Sequence, residues 1–286
     1  MSKTSGSKDH DEHVHVFQSN SLGLPHLPTY FRELWRRRDF AYEMSRSTLR
    51  TQQANSFIGK FWLVLNPLLL ATVYYFLVMV LSGGNNSGPD YFVHLVGGIF
   101  VFYFVAGSMS AGASSITGAG RLITNSSFPR LLLPISSVRT ALGRFLPTVP
   151  IFFILFFVSG SQLKWQQLLA IPVFLLIIVF SLGMAAFFGA LQVYFRDTAS
   201  FLPYLTRILL YISPVLWYQD QAREVFRLVG VINPLFPLIG AYSDLLVRGE
   251  MPSMLTWIMC IAWSIIALIF GCWFFMARER EFAVRL

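Results

Sequence analysis

The sequence predicts an all-α integral membrane protein with six transmembrane helices. Three observations predict it. Charged residues make up only 13 % of the 286-residue chain against 55 % hydrophobic ones, whereas a soluble domain carries about 25 % charged residues. Mean hydropathy is +0.58. The charges are also segregated, with none from Phe61 to Gly88 or from Trp165 to Phe195. Runs of that length suit a hydrocarbon core of about 30 Å, which takes about 20 apolar residues per helix. Nothing alternates with a period of two, so helices rather than a barrel must satisfy the backbone in lipid.

The elements follow in order. Residues 1–27 are polar, with Lys3, Lys8, Asp9, His10, Asp11, Glu12, His13 and His15. No apolar stretch follows a basic start, so they read as a disordered cytoplasmic tail and not as a secretory signal. The His/Asp/Glu cluster has nothing beside it to hold a metal rigidly. Over 28–50, Pro28 and Thr29 open a helix. Arg32, Arg36, Asp39, Glu43, Arg46 and Arg50 make one polar stripe, with Leu27, Phe31, Leu34, Trp35, Ala41 and Met44 largely on the other side. This basic amphipathic helix belongs in the membrane interface. The transmembrane domain then covers 51–286, with spans at about 61–82, 92–115, 131–159, 167–194, 199–218 and 254–276.

Between the last two spans, Gln219–Pro252 is too apolar for a free loop. Val225–Ile232 and Leu235–Leu246, separated by Asn233-Pro234, fit two short re-entrant outer helices. Backbone at that depth must lie against protein or a cavity. Val225, Asn233, Pro234 and Phe236 are the candidate outer gate.

Orientation follows from lysine and arginine. With the N-terminus inside, fifteen of the 22 basic residues are cytoplasmic and four (Lys164, Arg223, Arg227, Arg248) are external. That bias places both termini in the cytoplasm. It also accounts for the pI near 9.7 without nucleic acid as a partner. Cys260 and Cys272 fall about 120° apart around one helix and read as buried, inert thiols.

Enzyme signatures are absent: no phosphate-binding loop, H-E-x-x-H or G-x-S-x-G occurs. The spans hold almost no carboxylates, so no proton or sodium relay is available. By elimination, a transporter of this composition draws energy from a partner ATPase. ATP and magnesium then reside on that partner, and no cofactor is expected on this chain.

Four further features bear on function. The small-residue segment Ala106–Gly120 allows close helix approach, either within the chain or between subunits. The loop Gly118–Pro129 holds a helix-sized piece that could dock on a cytoplasmic subunit. Arg46, Arg50, Arg130, Arg139, Arg144 and Arg196 gather at the predicted inner boundary. Positive-inside anchoring explains many of these, while one or two guanidinium groups could bind the diphosphate of a lipid-linked substrate. Aromatics are abundant, with 28 Phe, 11 Tyr and 7 Trp. Trp62, Tyr74, Tyr75, Phe102 and Tyr211 are candidates to face a pore, although periodicity does not say which residues turn inward.

In order along the chain, Arg37-Arg-Asp-Phe40, Ser56-Phe-Ile-Gly-Lys-Phe-Trp-Leu-Val-Leu-Asn-Pro-Leu68, Phe128-Pro-Arg-Leu-Leu-Leu-Pro134, Val193-Tyr-Phe-Arg-Asp197, Ser213-Pro-Val215 and Asn233-Pro-Leu235 form a specific set. Through them the chain, over about 28–280, resembles ABC-2 permeases of exporters for bacterial cell-surface polysaccharides (the Wzm/TagG/KpsM type, type V exporter-like). The first 27 residues have no counterpart. The resemblance implies a homodimer in the bacterial plasma membrane, bound to two ABC ATPase subunits and passing a polyprenyl-diphosphate-linked glycan. It implies ATPase contacts for the amphipathic helix, with Arg36, Arg37 and Asp39. It implies the same for a coupling helix over Gly120–Ser127, with Gly120, Arg121, Leu122, Thr124 and Asn125. Three other readings stand beside it. One is an ABC-2 permease for a drug or lipid. Another is a membrane glycosyl- or acyltransferase built on Asp90, His94 and Asp197, and the last is a structural scaffold.

Overall fold

The computed structural model describes residues 26–53, 59–81, 83, 88–219, 230 and 232–286. Most of the polar tail, residues 54–58 at the entry to the first span, and the first outer helix with Val225 lie outside these residues. Among the described residues every regular element is helical.

The amphipathic segment forms two helices, α1 (Leu27–Arg36) and α2 (Arg38–Gln53), not one. Tyr30, Leu34, Ala41 and Ser45 share one stripe, but α1 packs its part into the end of the bundle that also holds Phe275 and Phe282 near the C-terminus, hereafter the terminal pole. α2 packs its part against α6 (Leu132–Phe145), where Ser45 accepts a hydrogen bond from Thr140 at 3.1 Å. The turn at Arg37 (φ −102°, ψ 18°) redirects the chain between the two surfaces.

Among the described residues, five helical stretches are long and apolar enough to cross a membrane: Trp62–Leu81, Pro89–Gly118, Leu132–Val158, Trp165–Tyr194 and Met254–Arg285. The first two are α3 and α4, and the short α5 (Gly120–Asn125) follows α4 after one residue. The third is broken between α6 and α7 (Thr148–Val158) at Leu146-Pro147. Pro147 lacks an N–H, and its ring crowds the preceding turn. The fourth opens with a 3₁₀ turn, Trp165–Leu169, before α8 (Ala170–Tyr194).

The predicted fifth span is shorter than expected. α9 (Thr198–Ile212) has 15 residues and stops ahead of Ser213-Pro214, because a residue before proline is pushed out of the helical region. At 1.5 Å per residue it covers about 22 Å, less than the roughly 30 Å of hydrocarbon. The chain continues through a bent stretch tied to α4 and back to the last turn of α9. Tyr91 donates to Leu216 O at 2.6 Å, and Trp217 Nε1 donates to Tyr211 O at 3.3 Å. The predicted second outer helix is present as α10 (Leu235–Ser243), with all nine residues buried, and it runs on as a π-helical turn to Arg248. The last span, α11 (Met254–Arg278), is capped by Ser253, which accepts from Thr256 N at 3.2 Å. The 3₁₀ turn Glu279–Glu281 and α12 (Phe282–Arg285) follow it.

α4 is the central helix, buried along most of its length, with α8 beside it and α11 beyond. Their backbones meet at small residues. A Cβ on Gly112 would lie 2.5 Å from Ala185 Cα, and one on Gly189 would lie 2.9 Å from Gly112 O. On the other side of α8, a Cβ on Gly183 would strike the Ala267 carbonyl, and one on Gly271 would strike that of Gly183. The small-residue segment therefore serves packing within the chain at Gly112 and Ala113. Its other face, with Ser110, Ser114 and Thr117, stays exposed.

Gly183→Leu is expected to destabilise the bundle by about 1–3 kcal/mol or more, the usual cost of overpacking. Gly107→Ala, where a Cβ meets nothing within 4 Å, should be neutral. Thermal unfolding followed by size-exclusion chromatography in detergent separates the two.

Candidate functional site

Two regions gather chemistry. The first is a largely apolar groove with several polar groups set in it, on the membrane-spanning face formed by α3, α4, α6 and α9. A cavity of about 470 Å³ there is lined by Trp62, Asn66, Tyr103, Ser110, Arg144 and Thr206, among others. Below it α4 presents Ser114 and Thr117 on the same exposed face, while Tyr74 and Tyr211 meet hydroxyl to hydroxyl at 3.2 Å. Arg207 is exposed on α9. Polar and cationic groups that face hydrocarbon are costly and rare. A face carrying an arginine, an amide and a row of hydroxyls is therefore turned to water, cargo or another protein. The remaining outer surface, such as Val73, Phe76 and Val80 of α3 or Ile258, Ile265 and Ile269 of α11, is apolar and exposed as lipid contact requires.

The second region is the terminal pole. α5 is anchored by Ile123, which is buried, while Arg121, Thr124 and Asn125 are exposed and Gly120 and Leu122 are half-buried. Beside it a hollow of about 700 Å³ runs between Met44, Arg121, Thr124 and Leu286. The loop after α5 is braced by Arg37, at the turn between α1 and α2, and by the start of α2. Arg37 Nη1 donates to Ser127 O at 2.6 Å, and the Phe40 and Phe128 rings lie 5.1 Å apart.

At the centre of this brace is Glu279, only 9 % exposed. Its Oε2 accepts from the Tyr30 hydroxyl at 2.6 Å, its Oε1 accepts from Arg130 N at 2.6 Å, and the Arg130 guanidinium donates to its backbone oxygen. Burial, reinforced by the neighbouring carboxylate, pushes the Tyr30 hydroxyl above the ordinary phenol range, so it remains a donor. Glu281 makes a parallel contact, accepting from Tyr194 at 2.7 Å and from Arg285 Nε at 3.1 Å. Sequence reasoning missed both carboxylates, since an acidic residue just past a span reads as solvated.

The predicted site residues divide accordingly. Arg36 and Asp39 are exposed on the terminal pole, Arg37 binds Ser127, and α5 carries the residues expected of it. Among the six candidate phosphate-binding arginines, Arg144 lines the groove. Arg130 is engaged by Glu279, and Arg139 stacks on Tyr42 at 4.1 Å from its centroid. Arg46 pairs with Glu43 at 3.6 Å, and Arg50 and Arg196 are exposed. Among the aromatics, Trp62, Tyr74 and Tyr211 border the groove face. Tyr75 sits with Tyr91 and Phe92 at the opposite pole, and Phe102 is buried in the core.

At that opposite pole, Asn233 is buried, donating to Ser213 Oγ at 3.0 Å and accepting from Leu235 N at 3.0 Å, so it fixes the start of α10. Pro234 follows it, and Phe236 packs on Trp217 at 5.7 Å. His94 meets Ser243 at 2.5 Å within the same packing. Asp90 and His94 lie at the start of α4, whereas Asp197 follows the end of α8, and the two helices run side by side in parallel. The three candidate catalytic residues are thus divided between opposite ends of the bundle.

Comparison with known proteins bears on this arrangement. Residues 41–247 match the family described as ABC-2 type transporter. The chain is 28 % identical over 214 residues to the O-antigen export system permease protein RfbA of Klebsiella pneumoniae, covering 74 % of this chain and 82 % of that protein. It is 27 % identical over 256 residues to a protein of the same name from Myxococcus xanthus, covering 88 % of this chain and 97 % of that protein.

A thiol reacts as the thiolate, which forms in water and not in hydrocarbon. Ser110→Cys on the groove face should therefore react with a charged, water-soluble maleimide about tenfold faster or more than Ile265→Cys on the apolar face. Mass spectrometry of the labelled chain in membranes gives the two rates.

Proposed function

The chain belongs to the ABC-2 type transporter family, and on that premise we propose that it is the membrane permease subunit of a polysaccharide exporter. The cargo is a polyprenyl-diphosphate-linked glycan, O-antigen-like or a cell-wall galactan, moved out of the cytoplasm across the bacterial plasma membrane. A separate ABC ATPase, present in two copies, holds ATP and magnesium and supplies the energy. The O-antigen export named in the relatives supports the substrate class.

The observation that carries the reading is α5, a short helix held out from the terminal pole with Arg121, Thr124 and Asn125 exposed on a buried Ile123. A bundle that needed only to pack has no use for a braced projection of this kind. A motor that pushes on the permease needs one. The excess of basic residues on the segments at this pole supports its cytoplasmic placement. The groove face supports the rest. In bilayer a row of hydroxyls with Arg144 has to meet water or protein, and a second copy of the chain set face to face across it completes a path. Hydroxyl, amide and indole groups suit an oxygen-rich glycan, and Arg144 suits an anionic head.

Two measurements test this. Purification in mild detergent should bring down an equimolar P-loop ATPase whose hydrolysis is stimulated by a lipid-diphosphate glycan; recovery of the chain alone under all salt conditions would overturn the proposal. Arg121→Glu should leave the melting temperature unchanged and lower glycan exported per ATP hydrolysed by about tenfold, within the usual range of coupling energies. Wild-type export by that variant removes α5 from the mechanism.

A further inference from the structure

We infer that Glu279 is a positioning residue for energy coupling, joining α1, the loop after α5 and the end of the last span into one rigid body. The inference rests on the transporter reading of the terminal pole. Three segments far apart in sequence converge on this one side chain. Tyr30 brings α1, Arg130 and Leu131 bring the loop that returns from α5, and Glu279 itself continues α11. Both carboxylate oxygens are used, each at 2.6 Å. The Tyr30 oxygen also accepts from Leu131 N at 3.4 Å, so tyrosine and glutamate together close a ring around the loop.

Burial pushes the Glu279 carboxyl above the ordinary carboxylate range, opposed by the hydrogen bonds from Tyr30 and Arg130 and by the Arg130 charge; in its ionised form those hydrogen bonds are about twice as strong as neutral ones. A buried donor left without its partner also costs the full desolvation penalty. The three segments therefore move together or not at all. The ring lies at the wall of a hollow of about 510 Å³ that Glu33, Arg37 and Arg280 also line; Phe282 and Phe275 pack edge to face at 5.1 Å, and Arg37 donates to Ser127 O. A push on α5 or on α1 then reaches α11 directly, without first travelling along α4. α11 in turn meets α8 backbone to backbone at Gly183 and Gly271, so the displacement passes into the middle of the membrane domain.

The test uses the full permease–ATPase complex in proteoliposomes, with a synthetic polyprenyl-diphosphate oligosaccharide as the transported probe. Hydrogen exchange is measured on the same samples. Glu279→Ala should raise exchange in residues 27–36 and 126–131 together and lower oligosaccharide exported per ATP by about tenfold. Glu279→Gln keeps an oxygen for Arg130 N but turns an amide donor toward the Tyr30 oxygen and leaves the Tyr30 O–H without its acceptor, so it should recover part of the loss. A residue that merely stabilised the fold would give no such recovery in the ratio while leaving the melting temperatures of the two variants alike. Tyr30→Phe removes two bonds of the ring, the one to Glu279 and the one from Leu131 N, and leaves Glu279 on Arg130; it should fall between the wild type and the alanine variant, and it carries the comparison if the alanine variant does not assemble. Exchange rising in only one segment, or an unchanged export ratio with both segments loosened, overturns the inference. If the wild type itself shows no ATP-driven export, the functional reading fails instead, and the two failures are thereby told apart.

Discussion

The membrane domain depends on backbone contact between α4, α8 and α11. In lipid, apolar side chains gain little by leaving one hydrocarbon surface for another, so helices associate through close packing and not through the hydrophobic effect. Gly112 against Ala185, and Gly183 against Ala267 and Gly271, supply that packing. The three helices form a stem, and the other elements are placed by what remains of its surface. α3 and α9 lie on the α4 side and leave most of their apolar residues toward the bilayer. The exposed hydroxyl row exists because α4 buries one side at Gly112 and Ala113 and turns the opposite one outward.

The same helix ties the two functional regions together. α4 carries Tyr103, Ser110, Ser114 and Thr117 on the groove face, ends at Gly118, and gives way after a single residue to α5. A displacement of the projecting helix is therefore a displacement of the groove wall. Glu279 adds a second link, from the same projection into α11. The groove wall and the stem are thus moved from one place by two routes of different stiffness, one covalent and one hydrogen-bonded.

Much of this was legible in the sequence because the bilayer imposes it. Charge-free runs gave the long helices to within a few residues, and Asn233-Pro234 marked the start of α10. The details that were not legible depend on partners distant in sequence. Arg37 looks like any member of a helical stripe until Ser127 is placed beside it. Arg130 and Arg139 share the composition of phosphate ligands, yet the first is held by Glu279 and the second lies over Tyr42. Arg144 has the same composition and does line the groove. Glu279 offers only one sequence cue, a tyrosine in place of an apolar residue on the buried stripe of α1. Such a cue acquires meaning only when burial is known. The length of α9 was overestimated for a related reason, since the apolar residues after Ser213 are buried by α10 and not by lipid.

The brevity of α9 also bears on how the protein is made. Fifteen residues that include Arg207 do not form a self-sufficient span. The missing depth is filled by the bent stretch after Ile212: its Leu216 carbonyl accepts from Tyr91, its Trp217 donates back to the Tyr211 carbonyl in the last turn of α9, and its Ser213 is bound by Asn233. Tyr91 emerges from the ribosome more than a hundred residues earlier, whereas Asn233 emerges about twenty residues later. Of the two donors, Tyr91 is thus already made when α9 is synthesised and Asn233 is not, so the stretch gains its full set of hydrogen bonds only once the segment leading into α10 has followed.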